Sequence, residues 1–149
     1  MQKEVCVNIK SVQSCEGESD TTELFTYAKF SKLKSNSSYR ITYDESETTG
    51  FAGSKVALEF SDNVVKLTRT GSAASNLIIE KGKRHHCHYG TPFGEFMVGI
   101  STEEIENNVN DRGGDLYLKY SVDINSGLIS ENEMYISIKE ITPQEGKSI

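Results

Sequence analysis

The sequence is poor in several features that would point to a particular class of protein. It has no tryptophan, two prolines and three cysteines among 149 residues. Cys6, Cys15 and Cys87 are odd in number, so they cannot form a complete disulfide framework, and they lack the spacing of a four-cysteine metal site. No apolar run approaches the roughly 20 residues that a membrane helix needs, and the amino terminus lacks the apolar core of a signal peptide. We therefore expect a cytoplasmic protein with free thiols and no membrane partner.

Positive charge is also scarce. The chain has 16 lysine and arginine residues against 22 aspartate and glutamate residues, which gives a net charge of −6. Such a chain has no overall positive field that would attract a nucleic acid. Its lysines concentrate in KFSKLK and KGKR, which are typical of solvated strands and turns. We expect no nucleic-acid partner.

What the sequence does contain is a series of short segments in which apolar and polar residues alternate. VCVNIKSV (5–12) and YRITYDE (39–45) show this pattern, which is typical of strands with one buried face. Further alternating segments follow, separated by clusters of turn-forming residues. About nine short strands at this spacing indicate an antiparallel barrel or sandwich. The pattern predicts one all-β domain over residues 1–142, followed by a flexible tail over residues 143–149.

The segment STEEIENNV (101–109) fits two structures. Ser101 and Glu104 have the spacing of a helix capping box. The same residues also fit a continued strand with a bulge, because the alternation of the preceding residues slips before Ile105. We favour the strand.

The segment RHHCHY (84–89) carries all three histidines of the chain. On a strand, neighbouring side chains point to opposite faces, so these residues cannot all converge on one ion. We expect Cys87 to be a small core residue and not a nucleophile.

His86 and His88 would share the face opposite Cys87. If residues 90–93 form a hairpin loop, Glu95 lies across the ladder from His88, and the three side chains could bind a metal ion at the surface. The alternative, which we favour, is that they form a solvated polar face, because Arg84 beside them would repel a cation. We predict neither a resident metal nor another cofactor.

Arg69 lies in the segment VVKLTR, where the alternation places it on the same face as Val65 and Leu67. An inward arginine in a barrel needs an acidic or polar partner, and the end of YRITYDE offers Asp44 and Glu45. The alternative, which we favour slightly, is that Arg69 lies at the end of its strand and extends its charge into solvent.

Five tyrosines either line a cavity with hydroxyl groups or fill the barrel as ordinary core. They are Tyr27, Tyr39, Tyr43, Tyr117 and Tyr120. Our predicted ligand-binding residues are Tyr43, Glu45, Arg69 and Tyr120. No catalytic residue is predicted, because the chain has no Ser-His-Asp order and no phosphate-binding glycine loop.

The order of YRITYDE, VVKLTRTG, YGTPFGEF, LYLKYSVDIN and ISENEMYISIKE resembles the YwiB-like family of uncharacterised bacterial proteins. The more distinctive parts are Tyr43 with Glu45, the corner at 69–71, the turn at 91–94, the stretch 120–125, and Asn132. The resemblance covers nearly the whole chain and implies a calycin-like (lipocalin-like) antiparallel barrel of about eight strands. It also implies a strand for STEEIENNV. It brings no activity, cofactor or catalytic residue, and the three histidines are not part of its pattern.

Three functions stay open for such a barrel. The one we favour is binding of a small, partly apolar molecule in or at the mouth of the barrel, although the many Tyr and Phe residues could instead fill the interior. The second is a protein-interaction module that uses an open edge or the loops. The third is an enzyme, with Tyr43, Glu45 and Arg69 as its acid–base-capable residues.

Overall fold

Each alternating segment of the sequence forms a strand. The computed structural model describes residues 2–33, 38–45, 52–71, 74–91, 94–124 and 127–141, with the backbone alone for Thr91 and Leu128. The strands are β1 (Gln2–Cys15), β2 (Glu18–Lys32), β3 (Tyr39–Asp44), β4 (Lys55–Phe60), β5 (Val64–Thr70), β6 (Ser75–Glu80), β7 (Arg84–Thr91), β8 (Gly94–Asn110), β9 (Gly113–Ile124) and β10 (Gly127–Glu140). The predicted tail, 143–149, lies outside the described residues.

The strands form a closed antiparallel barrel. Each strand pairs with its neighbours in sequence, and β1 pairs with β10 to complete the circle. This confirms the predicted all-β barrel, which has ten strands in the part of the chain that the structure describes, slightly more than predicted. The spacing of the segments had indicated about nine strands, and the family resemblance about eight. No helix within the described ranges is long and apolar enough to cross a membrane.

The segment 101–109 belongs to β8 and is not helical. The register between β8 and β9 shifts between Thr102 and Glu104, which is the bulge expected where the alternation slips. Beyond the shift, Ile105 points inward again and is buried. The prediction of a bulged strand is confirmed.

The hairpin of β7 and β8 has a different register from the one assumed in the sequence analysis. Thr91 pairs with Gly94 and Cys87 with Val98, so the strands are joined through 92–93, which lie outside the described residues. The predicted loop, 90–93, is therefore two residues too long. A shift of two residues leaves every side chain on its original face. Cys87 is accordingly buried in the core as predicted.

Large side chains fill one end of the barrel. This filled end contains the buried residues Phe30, Tyr39, Phe60, Leu116 and Ile138. The rings of Phe30 and Tyr39 stack with their centroids 5.2 Å apart. Burying one large apolar side chain stabilises a fold by about 1.5–3 kcal/mol, so this end supplies much of the stability of the barrel.

The contact between β6 and β7, which we call the β6–β7 seam, relies on side chains. These two strands share two residue pairs, fewer than any other neighbouring strands in the described part of the chain. Cys87 Sγ accepts a hydrogen bond from the Ile78 N–H at 3.3 Å. Ser75 Oγ accepts one from the Gly90 N–H at 3.0 Å. Both side-chain bonds take the place of backbone bonds that a regular ladder would contain.

Gly90 lies where the backbones at this seam come close together. A Cβ atom at Gly90 would stand 2.1 Å from the carbonyl oxygen of Ala74, which forces the backbone to move. We expect Gly90→Ala to lower the free energy of unfolding by about 1–3 kcal/mol in urea denaturation. Gly127→Ala is the matched control, because its Cβ atom would meet nothing closer than 3.4 Å. Equal, small effects of both substitutions would contradict the close approach.

Candidate functional site

The end of the barrel opposite the filled end, which we call the cavity end, contains a polar compartment of about 210 Å³. Its wall includes all four residues predicted to bind a ligand, which are Tyr43, Glu45, Arg69 and Tyr120. They come from β3, the residue after β3, β5 and β9, and alternation turns each of them inward. The structure thus brings the four residues together, and their role in binding stays a prediction.

Arg69 and Glu45 form a buried ion pair. The Nη2 atom of Arg69 lies 3.5 Å from Oε2 of Glu45, and the two side chains are 9% and 4% exposed. The interpretation in which Arg69 extends into solvent is therefore wrong. The Glu45 N–H donates to the carbonyl oxygen of Ser54 at 2.9 Å. This bond continues the β3–β4 pairing beyond the ends of both strands and holds the carboxylate beside Arg69.

Asp44, the other partner considered for Arg69, faces outward. Its carboxylate lies 3.8 Å from Nζ of Lys55, and the two side chains are 79% and 67% exposed. Neighbouring residues on a strand point to opposite faces, so only one of Asp44 and Glu45 could face the interior. The two ion pairs therefore lie close together in the sheet but differ in burial.

Tyr43 and Tyr120 present phenol groups to the polar compartment. Burial raises the pKa of Tyr43 well above its usual value, and the negative charge of Glu45 raises it further. Burial also raises the pKa of Tyr120 to about 12. Both phenols are therefore protonated at neutral pH, when each can donate a hydrogen bond to a ligand.

The other three tyrosines do not line this compartment. Tyr39 is part of the filled end. Tyr27 is 64% exposed on the outer face of β2, where it alternates with the buried Ala28. Tyr117 is also on the outer face, where its hydroxyl donates to Glu133 at 2.5 Å. Tyr27 and Tyr117 therefore neither line the interior of the barrel nor fill its core, so both expectations are wrong for these two residues.

An apolar compartment of about 240 Å³ adjoins the polar one. Its aliphatic lining residues are Leu77, Val98, Ile100, Val122, Ile124 and Ile129. Phe96 also lines this compartment, and Phe96 and Ile129 are partly exposed. These two side chains are thus in contact with both the compartment and the solvent.

Five residues line both compartments, and four of them were not predicted from the sequence as site residues. They are Gln13, Leu77, Tyr89, Tyr120 and Asn132, of which Tyr120 alone was among the predicted ligand-binding residues. For Tyr89 a signal existed, because alternation places it on the same face as Cys87. Alternation does not show which inward positions border empty space, since that depends on the size of the side chains opposite.

The histidines do not assemble the hypothetical metal site. His88 Nε2 pairs with Glu95 Oε1 at 2.9 Å. His86 has a cation as its neighbour, because its Nε2 lies 3.3 Å from Nη1 of Arg84. Among the described residues, no three His, Cys, Asp or Glu side chains form a group that could hold a metal ion.

The fold and the two compartments define the chain as a closed antiparallel β-barrel with an internal cavity. A family model described as a domain of unknown function, DUF1934, matches residues 7–136, and the chain therefore belongs to this family. The crystal structure of the YwiB protein from Bacillus subtilis is similar over 95% of this chain and 94% of that chain, with a TM-score of 0.82 and 19% identity. These matches confirm the YwiB-like resemblance, and at this identity the structural likeness shows the fold alone. No curated protein matches the chain significantly.

A double-mutant cycle measures the Arg69–Glu45 pair. Removing one partner leaves the other charge buried, so Glu45→Gln and Arg69→Met should each lower the free energy of unfolding by about 3–5 kcal/mol. The double variant should cost much less than the sum of the single variants. Asp44→Asn with Lys55→Met is the exposed control cycle and should show no measurable coupling. Additive effects of the Glu45 and Arg69 substitutions would contradict a buried pair.

The raised pKa of Tyr120 predicts a specific loss of stability at alkaline pH. A tyrosine in the unfolded chain releases its proton near pH 10, whereas folded Tyr120 retains it to about 12. Only the unfolded state gains the favourable charge in this window, so the folded protein loses up to about 3 kcal/mol of stability as the pH rises through it. In urea denaturation, the free energy of unfolding of Tyr120→Phe should fall less than that of the wild type between about pH 10 and 12. Near neutral pH the two proteins should show the same dependence on pH. Parallel curves throughout would contradict the raised pKa.

Proposed function

We propose that this DUF1934 protein binds a small, partly apolar molecule at the cavity end of its barrel. The observation that carries the proposal is the contact between the two compartments, which share five lining residues. One compartment offers aliphatic side chains, and the other offers phenol, amide and charged groups. A molecule with an apolar part and a polar head group would match both.

The size of the cavity limits the ligand. Each compartment alone is smaller than the roughly 300 Å³ at which pockets for drug-sized molecules begin, so a ligand of that size would have to occupy both. The ligand is therefore a small molecule that places its apolar part against Val98 and Val122 and its head group near Tyr43 and Tyr120.

The strand order supports a calycin-like barrel, which we propose as its finer classification. All connections join neighbouring antiparallel strands, and this up-and-down order is also that of the lipocalins, which enclose small ligands. Similarity of fold alone does not determine function, so the proposal depends on the lining of the cavity.

The chemistry of the polar compartment favours binding over acid–base catalysis. Burial keeps the phenol of Tyr43 protonated at neutral pH, so it does not supply a base. The carboxylate of Glu45 is already engaged by Arg69 in an ion pair and is not a free group at the cavity wall. The two alternative functions, a protein-interaction module and an enzyme, remain predictions.

We also propose that the protein acts in the cytoplasm, with a small molecule rather than a nucleic acid or a membrane as its partner. The support is that Cys6, Cys15 and Cys87 are all free, as is usual in a reducing compartment. The acidic composition supports the absence of a nucleic-acid partner.

Titration with 1-octanol, followed by amide NMR spectra, tests binding. We expect shifts at Tyr43, Tyr89 and Tyr120 and none at the filled end. Val122→Phe places a ring in the apolar compartment and should weaken binding by about tenfold or more. Val12→Phe is the matched control, because Val12 alternates with the cavity residue Gln13 and faces outward. Equal affinities of the two variants would contradict binding in the cavity.

A further inference from the structure

The polar compartment contains an arginine but no surplus of positive charge. Among the described residues of its wall, the charged ones are Asp20, Glu45 and Arg69. At neutral pH these give two negative charges and one positive charge. The apolar compartment contributes no charged residue from the described chain. A ligand head group therefore enters a surrounding whose net charge is negative.

The contacts of Arg69 also argue against an anionic head group. Its Nη2 atom faces the carboxylate of Glu45, and its Nη1 atom donates to Ser75 Oγ at 3.3 Å. A ligand carboxylate at Arg69 would thus have to compete with a buried carboxylate at Nη2. It would also lie near that carboxylate in a partly dehydrated space, where charges of the same sign repel each other strongly.

The same compartment has groups that suit other head groups. The phenols of Tyr43 and Tyr120 are protonated and can donate or accept hydrogen bonds. The amides of Gln13 and Asn132 also line the space. A hydroxyl or amide group finds hydrogen-bond partners there and adds no charge. An ammonium group finds the carboxylate of Asp20, which is not part of the buried ion pair.

We infer that the ligand is an uncharged or cationic amphiphile, with a hydroxyl, amide or amine head group, and not an anionic one such as a fatty acid. This inference rests on the proposed function. Its structural basis is that Glu45 already balances the charge of Arg69, so this arginine does not serve as a receptor for a carboxylate.

A series of three ligands with the same alkyl chain tests the inference on the wild-type protein. At neutral pH, 1-octanol is uncharged, octylamine is protonated and octanoate is ionised. We expect octanol and octylamine to bind in the cavity, with dissociation constants at least about tenfold lower than that of octanoate, as followed by amide NMR shifts. Octanoate binding best would overturn the inference and leave the proposed function intact. Absence of shifts with all three would overturn both.

Substitutions of the charged residues in the polar compartment then test whether these charges cause the selectivity. Glu45→Gln removes the charge that balances Arg69, so it should strengthen octanoate binding and weaken octylamine binding, each by about tenfold. Asp44→Asn removes the same charge from the outer face and should change neither. Asp20→Asn does not disturb the buried pair, so it keeps the test available if Glu45→Gln does not fold. It should move both affinities in the same directions by a smaller factor. Unchanged affinities in Asp20→Asn and Glu45→Gln would contradict the inference.

Discussion

β1 pairs with β10 along ten residues, from Val5–Glu140 to Ser14–Glu131, and this ladder closes the sheet on itself. Closure leaves no edge strand among the described strands, and it gives the sheet an inner face and an outer face. Once these two faces exist, the two-residue period of each strand decides where every side chain points. Asp44 and Glu45 show the result, since adjacent carboxylates have an exposed partner and a buried one.

The cavity arises from a change in residue type along the strands. On β1 the inward residues change from Val5 to Ser11, and on its partner β10 they change from Ile138 to Ser130. Both changes run toward the same end of the barrel, because the strands are antiparallel and paired. Smaller and more polar side chains cannot fill the interior there. One end of the barrel thus supplies stability, and the other supplies space.

Alternation predicted much of the fold and part of the site. It placed Cys87 inward and the segment 101–109 in a bulged strand, and both are confirmed. It also placed Arg69 inward, but it did not reveal that Glu45 is held beside it by a bond to Ser54. That contact joins residues beyond the ends of two different strands, and the sequence pattern of one strand contains no information about it.

Where the sequence analysis failed, tertiary contacts decided the outcome. The β7–β8 register depends on the length of the turn, and a shift of two residues is invisible to alternation because it changes no face. The inward positions that border empty space, such as Tyr89, depend on the volume of side chains from other strands. Neither property is encoded in a single segment.

The wall of the cavity is held together less uniformly at the β6–β7 seam than elsewhere in the described barrel. Leu77 and Tyr89 belong to these two strands, and both line both compartments. The strands are joined there by the sulfur of Cys87 and the hydroxyl of Ser75, with few backbone bonds. Opening a region held by few bonds requires less free energy than opening a full ladder. We therefore expect the wall of the cavity to open first at this seam, where fewer backbone pairs would be lost than at the β1–β10 closure.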